Sequence, residues 1–251
     1  MNIELKKLYK IRARHAKLIS TLINGLPFVR CIILTGSMVS GDITPQSDID
    51  FLIIAKTGRI FSVRFFTNIL VWATGLKRSS REGSNPAGKI CLNYYMTEGF
   101  LIVPHHRDDQ INRYCARSYS NTVLLAGDRA IYNKFIKMNE MWIKKYIEQT
   151  STEILHRKNT ENKQFSLSNH LSLRAIDQRE RRGNLAKELK SYKLKPVFEN
   201  LLCGKFGDKL EQRFKIIQLK RIYSDPRTRR YPDLIFANDR EMRFHPRKGA
   251  N

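Results

Sequence analysis

The stretch ILTGSMVSGDITPQSDIDFLII, residues 33–54, limits the fold more than any other part of the chain. An apolar, β-branched run, FVRCIILT, reads as a strand over 28–35 that ends at Gly36-Ser37. A polar excursion with Gly41 and Pro45 comes next, predicted as a turn or short helix and a loop. A second apolar run, DIDFLIIA, opens on Asp48 and reads as a strand over 48–55. Residues i and i+2 of a strand point the same way, so Asp48 and Asp50 share a face. Two carboxylates held that close repel each other unless a cation lies between them. Oxygen-only ligation suits Mg²⁺ or Mn²⁺.

Gly36 and Ser37 supply what a triphosphate needs. Glycine turns the chain sharply and lets a phosphate approach the backbone. N–H groups at the start of the next helical turn point at the anion, and the serine hydroxyl adds a donor. Bringing this turn beside the Asp pair places metal and phosphates together, which suits in-line attack on an α-phosphate. A lone D-x-D says little, since surface turns and glycosyltransferases carry one too.

The combined order is more specific: strand, G-S, loop, S-D-I-D, strand. It resembles the nucleotidyltransferase superfamily. GSMVSGDITPQSDIDFLIIAKTGRIFSVRFF is similar to bacterial nucleotidyltransferase-domain proteins without an assigned substrate. KICLNYYMTE is similar to their next strand and NEMWIKKY, Asn139 to Tyr146, to the Asn–Trp segment of their helical part. The Glu211…Gln218 helix and Phe244-His245-Pro246 resemble their C-terminal elements. The resemblance implies an α+β fold, a nucleotidyltransferase-like mixed sheet with a helical C-terminal part. It implies Asp48 and Asp50 as catalytic metal ligands, Mg²⁺ (or Mn²⁺) as cofactor, and Gly36, Ser37 and Ser47 as contacts to a nucleoside triphosphate such as ATP. The expected reaction moves a nucleoside monophosphate to an unidentified acceptor.

One departure matters. Active members of the superfamily place a third carboxylate on a neighbouring strand. Here that strand, 90–96, offers Asn93, a neutral amide that cannot act as a general base. Glu98 at its end is the candidate substitute. The alternative is a degenerate module that binds nucleotide or RNA without turnover.

Around this core the chain reads as helices and loops. Leu8, Ile11, Leu18 and Leu22 recur at helical spacing over 3–24. Arg59 to Leu76 reads as a buried helix, too short in apolar residues for a membrane span. Asp108 and Asp128 are placed to cap helices running to about Leu125 and Gln149. Residues 150–170 read as a polar linker, with helical patterns returning over 171–191 and 208–223 and a basic tail beyond. The predicted division is a core over 1–107 and a mainly helical region over 108–251.

Charge bears on partners. There are 46 Lys and Arg against 23 Asp and Glu, a net charge of +23, so RNA or another polyanion is an expected partner. Lys77, Arg78, Arg81 and Lys89 crowd the loop before the Asn93 strand and are candidates for phosphate or acceptor contacts. Arg227, Arg229 and Arg230 offer a second basic site. His105-His106 with Asp108-Asp109 makes a weaker metal candidate, because adjacent strand residues face opposite ways. Cys31, Cys91, Cys115 and Cys203 lack C-x-x-C spacing and fit reduced thiols in a cytoplasmic protein.

Overall fold

The computed structural model describes residues 3–79, 84–104, 109–157, 195–232 and 235–244. Arg81, His105, His106, Asp108, the 171–191 stretch and His245 lie outside them. The strands are β1 (Val29–Thr35), β2 (Ile49–Ala55), β3 (Ile90–Thr97), β4 (Val123–Gly127), β5 (Ile235–Ala237) and β6 (Glu241–Phe244). They form one mixed sheet in the order β4-β1-β2-β3-β6-β5, with helices on both faces, an α+β architecture. The β2–β3 pair is parallel; the other neighbours are antiparallel. Every residue of β2 is buried, which explains why its sequence runs apolar instead of alternating.

Helices α1 (Ile3–Asn24), α3 (Ile60–Ala73) and α6 (Lys205–Ser224) pack on one face of the sheet. Helices α4 (Asp109–Ser120) and α5 (Arg129–Arg157) cover the other, over Cys31, Ile33, Leu52, Ile54 and Tyr94. The short α2 (Ser37–Ser40) follows β1, and α7 (Pro226–Arg230) follows α6.

The α1 span agrees with the sequence periodicity, but the buried face does not. Ile11, Leu18 and Leu22 are exposed, whereas Tyr9, Ala13, Ala16, Ile19 and Ile23 are buried. Small Ala13 and Ala16 let the helix lie close to the sheet, and a hydropathy pattern overlooks them. Residues 123–125, expected at the end of a helix, instead belong to β4 and pair with β1 at the edge of the sheet. The basic tail returns to the sheet as β5 and β6, so three of its six strands come from beyond residue 107.

Two segments singled out in the sequence act as fasteners. Glu211 of α6 accepts hydrogen bonds from the backbone N–H groups of Phe61 and Ser62, each at 2.8 Å, and so satisfies the orphan donors at the start of α3. Gln218 donates to the Phe61 carbonyl at 2.8 Å and accepts from Arg64 at 2.7 Å. Asn139 of α5 accepts from the Val103 N–H and donates to the Leu101 carbonyl, tying down the apolar segment after β3; it also accepts from Trp142 Nε1 at 2.9 Å. Asp128 caps α5 through the Ala130 N–H at 2.7 Å, as its position predicted.

Candidate functional site

The site forms where β1 ends and β2 begins. In the antiparallel β1–β2 register Thr35 lies opposite Asp50, so the Gly36-Ser37 turn leaves the sheet beside the acid pair. Gly36 has φ +74°, a conformation that L side chains rarely adopt. Space also requires glycine: a Cβ there would stand 2.1 Å from Asp50 Oδ2. The turn and the carboxylate are therefore in van der Waals contact. The Oγ of Ser37 is buried and has no hydrogen-bond partner among the described residues. A buried hydroxyl without a partner is costly in isolation and suits a ligand atom.

The loop between turn and acids is held from below by Arg12 of α1. Its guanidinium donates to the carbonyls of Thr44 at 2.7 Å and Pro45 at 2.5 Å. Burial lowers the Arg12 pKa, and the nearby Asp48 opposes that shift. Nothing in the periodicity of α1 distinguishes Arg12 from its other basic residues, so this role has no signal in the sequence.

Asp48 and Asp50 are both buried, at 4% and 5% exposure. Asp48 forms an ion pair with Arg78. Asp50 Oδ1 accepts a hydrogen bond from Asn93 Nδ2 at 2.8 Å. A register shift in β3, between the pairs Asp50–Cys91 and Leu52–Tyr94, inserts an extra residue and aims Asn93 at Asp50. Cys91 sits opposite Asp50, and its Sγ lies 3.4 Å from Arg78 Nη1. Burial pushes the Cys91 pKa well up, Asp50 and Asp48 push it further, and Arg78 opposes them, so the group stays a thiol.

Ligand atoms of Asp48, Asp50 and Cys91 all lie within 4.8 Å of one another. The two carboxylates fit a hard divalent cation; the thiol is a softer donor. Together with the orphaned Ser37 hydroxyl and the glycine cradle, this donor set fits a metal-bound nucleotide.

The sequence of residues 16–85 matches the nucleotidyltransferase domain family. Over those residues the chain is similar to a nucleotidyltransferase domain. The match takes in Gly36, Ser37, Asp48 and Asp50 and stops before the Asn93 strand. Among solved structures, a chain from a toxin–antitoxin crystal structure with AMP-PNP is 17% identical, with 56% of this chain and 90% of that one covered, at a TM-score of 0.26. No curated protein matches the sequence.

The other residues expected at the site fall in different places. The Ser47 Oγ accepts from the Thr44 N–H at 2.9 Å and its carbonyl from the Gly88 N–H at 3.0 Å, so Ser47 shapes the loop. Glu98 lies at the far end of the sheet, where its N–H bonds to the Ala55 carbonyl and its carboxylate pairs with Arg30 at 3.3 Å. Ala55 is five residues along β2 from Asp50, roughly 16 Å at strand rise. Glu98 is thus out of reach of the acid pair. Lys77 bridges to Ile90, and burial followed by Arg64 and Arg221 lowers its pKa. Lys89 donates to the Gly75 carbonyl at 2.9 Å. Asp109, the described member of the His-Asp cluster, accepts from the Tyr146 hydroxyl at 2.9 Å.

Proposed function

We propose that the chain binds a nucleoside triphosphate at Gly36-Ser37 with Mg²⁺ or Mn²⁺ on Asp48 and Asp50, and transfers a nucleoside monophosphate to an acceptor. The observation that carries this reading is the contact of Gly36 with the Asp50 carboxylate, which makes the phosphate turn and the acid pair one site. When bound, the cation would neutralise charge on the reacting phosphate and on the leaving group. Ser37 would donate its hydroxyl to a phosphate oxygen, and Arg12 would keep the acid-bearing loop in place. We place the protein in the cytoplasm, in keeping with four free cysteines. No helix among the described residues is long and apolar enough to cross a membrane.

A second reading has its own observation. The position expected to carry a third carboxylate is Asn93, and its amide is already bonded to Asp50. With Glu98 remote, that favours a module that binds nucleotide or RNA and turns over slowly or not at all. Transfer and the nucleotide-binding form of the module both require cation-dependent nucleotide binding. Calorimetry of each nucleoside triphosphate with and without Mg²⁺ tests that shared claim; equal affinity in both conditions would overturn it. Incubation with the labelled triphosphates, Mn²⁺ and cell extract separates the two readings. Label appearing on a product supports transfer, and cation-dependent binding with no labelled product supports the module.

A further inference from the structure

The basic loop before β3 does not simply offer charge to solvent. Arg78 turns inward: its Nη1 meets both Asp48 Oδ2 and Cys91 Sγ, two of the three groups whose ligand atoms cluster within 4.8 Å. The guanidinium therefore occupies the ground a divalent cation would take. The Arg78 backbone is fixed, with its N–H bonded to the Ile90 carbonyl at 2.9 Å beside the Lys77–Ile90 bridge. The side chain, 27% exposed, reaches from that anchor to the acids.

Charge balance limits how a cation can enter this cluster. The two carboxylates carry −2, and Arg78 brings the cluster to −1. A dication added with Arg78 in place would leave the same cluster with a buried excess of positive charge. A dication added with Arg78 withdrawn would balance the carboxylates. Uncompensated charge in a buried cluster is strongly unfavourable, so one guanidinium must yield. Arg12 is buried at 2% exposure and tied to two carbonyls, whereas Arg78 has a path to solvent.

We propose that Arg78 is the resident counter-ion of this site, which holds Asp48 in the metal-free protein and is displaced when a divalent cation binds. The inference rests on the metal-site reading above and adds a competitor to it. It makes cation affinity a property set by Arg78 as well as by the ligands.

The test is Mn²⁺ titration of the full chain without nucleotide, with free Mn²⁺ followed by electron paramagnetic resonance. Arg78→Gln should bind Mn²⁺ roughly tenfold or more tightly than wild type, since a unit charge a few Å from the ion is removed. Arg78→Lys keeps the charge and should stay near wild type. Asp48→Asn should lose the site. Wild-type binding matched or exceeded by no more than twofold in Arg78→Gln would overturn the proposal while leaving the metal site standing. Absence of Mn²⁺ binding in wild type and Arg78→Gln alike would overturn both. A second measurement needs no variant: phenylglyoxal should modify Arg78 of wild type faster with Mn²⁺ present, read by mass spectrometry. Unchanged Arg78 reactivity at saturating Mn²⁺ would equally overturn the displacement.

Discussion

Gly36 lies against Asp50 so closely that a Cβ on the glycine would stand 2.1 Å from the carboxylate oxygen. Gly36→Ala therefore combines a positive-φ alanine, costing about 1–2 kcal/mol, with forced movement of a buried acid. Nucleotide affinity should fall by at least about tenfold, the equivalent of 1.4 kcal/mol, with Tm lowered by several degrees. Calorimetry beside thermal melting checks both, and a Gly36→Ala protein with wild-type affinity would separate the turn from the site.

Glu211 carries a different kind of weight. The residue is 6% exposed, and its carboxylate serves the N–H groups of Phe61 and Ser62 at the buried start of α3. Glu211→Ala leaves those donors unpaired, at about 2–4 kcal/mol in total. Urea unfolding should show that loss. The protein that remains folded should bind nucleotide as before, because α3 and α6 pack on the sheet face opposite Asp50.

Glu241 gives a pH dependence. Burial raises its pKa, with Arg243 and Tyr94 pulling it back. A carboxyl whose folded pKa exceeds the unfolded one, about 4.3, stabilises fully below that value and loses the contribution as pH rises through the folded value. Glu241→Gln keeps an acceptor for the Tyr94 hydroxyl, which donates to Glu241 at 2.8 Å, and carries no charge. Its Tm should match wild type near pH 4 and exceed it increasingly toward neutrality. A wild-type advantage at pH 7 would contradict the sign.

The placing of the glycine turn beside the acid pair was legible because it is local. Gly36-Ser37 and Asp48-Ile49-Asp50 are separated by one loop, and each imposes a rule that sequence alone displays: a glycine turn, and strand alternation of carboxylates. Arg12 and Cys91 were not legible as site residues. Each reaches the acids from another element, and neither belongs to a pattern with a period. The α1 face was misjudged for a related reason, since the alanines that set helix-to-sheet distance are weak in hydropathy. Strand β4 was hidden because VLLAG is short and apolar, and only its pairing with β1 decides between helix end and edge strand.

The net charge of +23 predicts salt-sensitive binding of RNA. Affinity for a single strand should fall with salt at about −0.7 per neutralised phosphate in a log–log plot. Within the protein Arg78 faces Asp48, Lys89 bonds to the Gly75 carbonyl and Arg227 pairs with Asp225, whereas Arg229 and Arg230 are exposed. Replacing Lys77, Arg78 and Lys89 together should change the slope by less than replacing Arg227, Arg229 and Arg230, which sit in the short α7. Gel shifts at several salt concentrations compare the two sets, and a larger loss from the first would restore the loop as an acceptor clamp.

Asn93 offers the most direct probe of catalysis. Its amide donates to Asp50 Oδ1 at 2.8 Å, so Asn93→Asp replaces a hydrogen bond with two like charges at nearly constant shape. Without cation the variant should be less stable, by about 1–3 kcal/mol, because a buried bond becomes a repulsion. Added Mn²⁺ should restore much of that loss, since three carboxylates bind a dication more strongly than two. Melting curves with and without Mn²⁺ measure both effects. If the site is a nucleotidyltransferase centre weakened at this one position, Asn93→Asp should also raise label transfer from a nucleoside triphosphate above wild type. If the chain is a binding module, the cation rescue should appear without any gain in transfer. A variant that is destabilised but indifferent to Mn²⁺ would place Asn93 outside the metal's reach and return its hydrogen bond to a purely structural role.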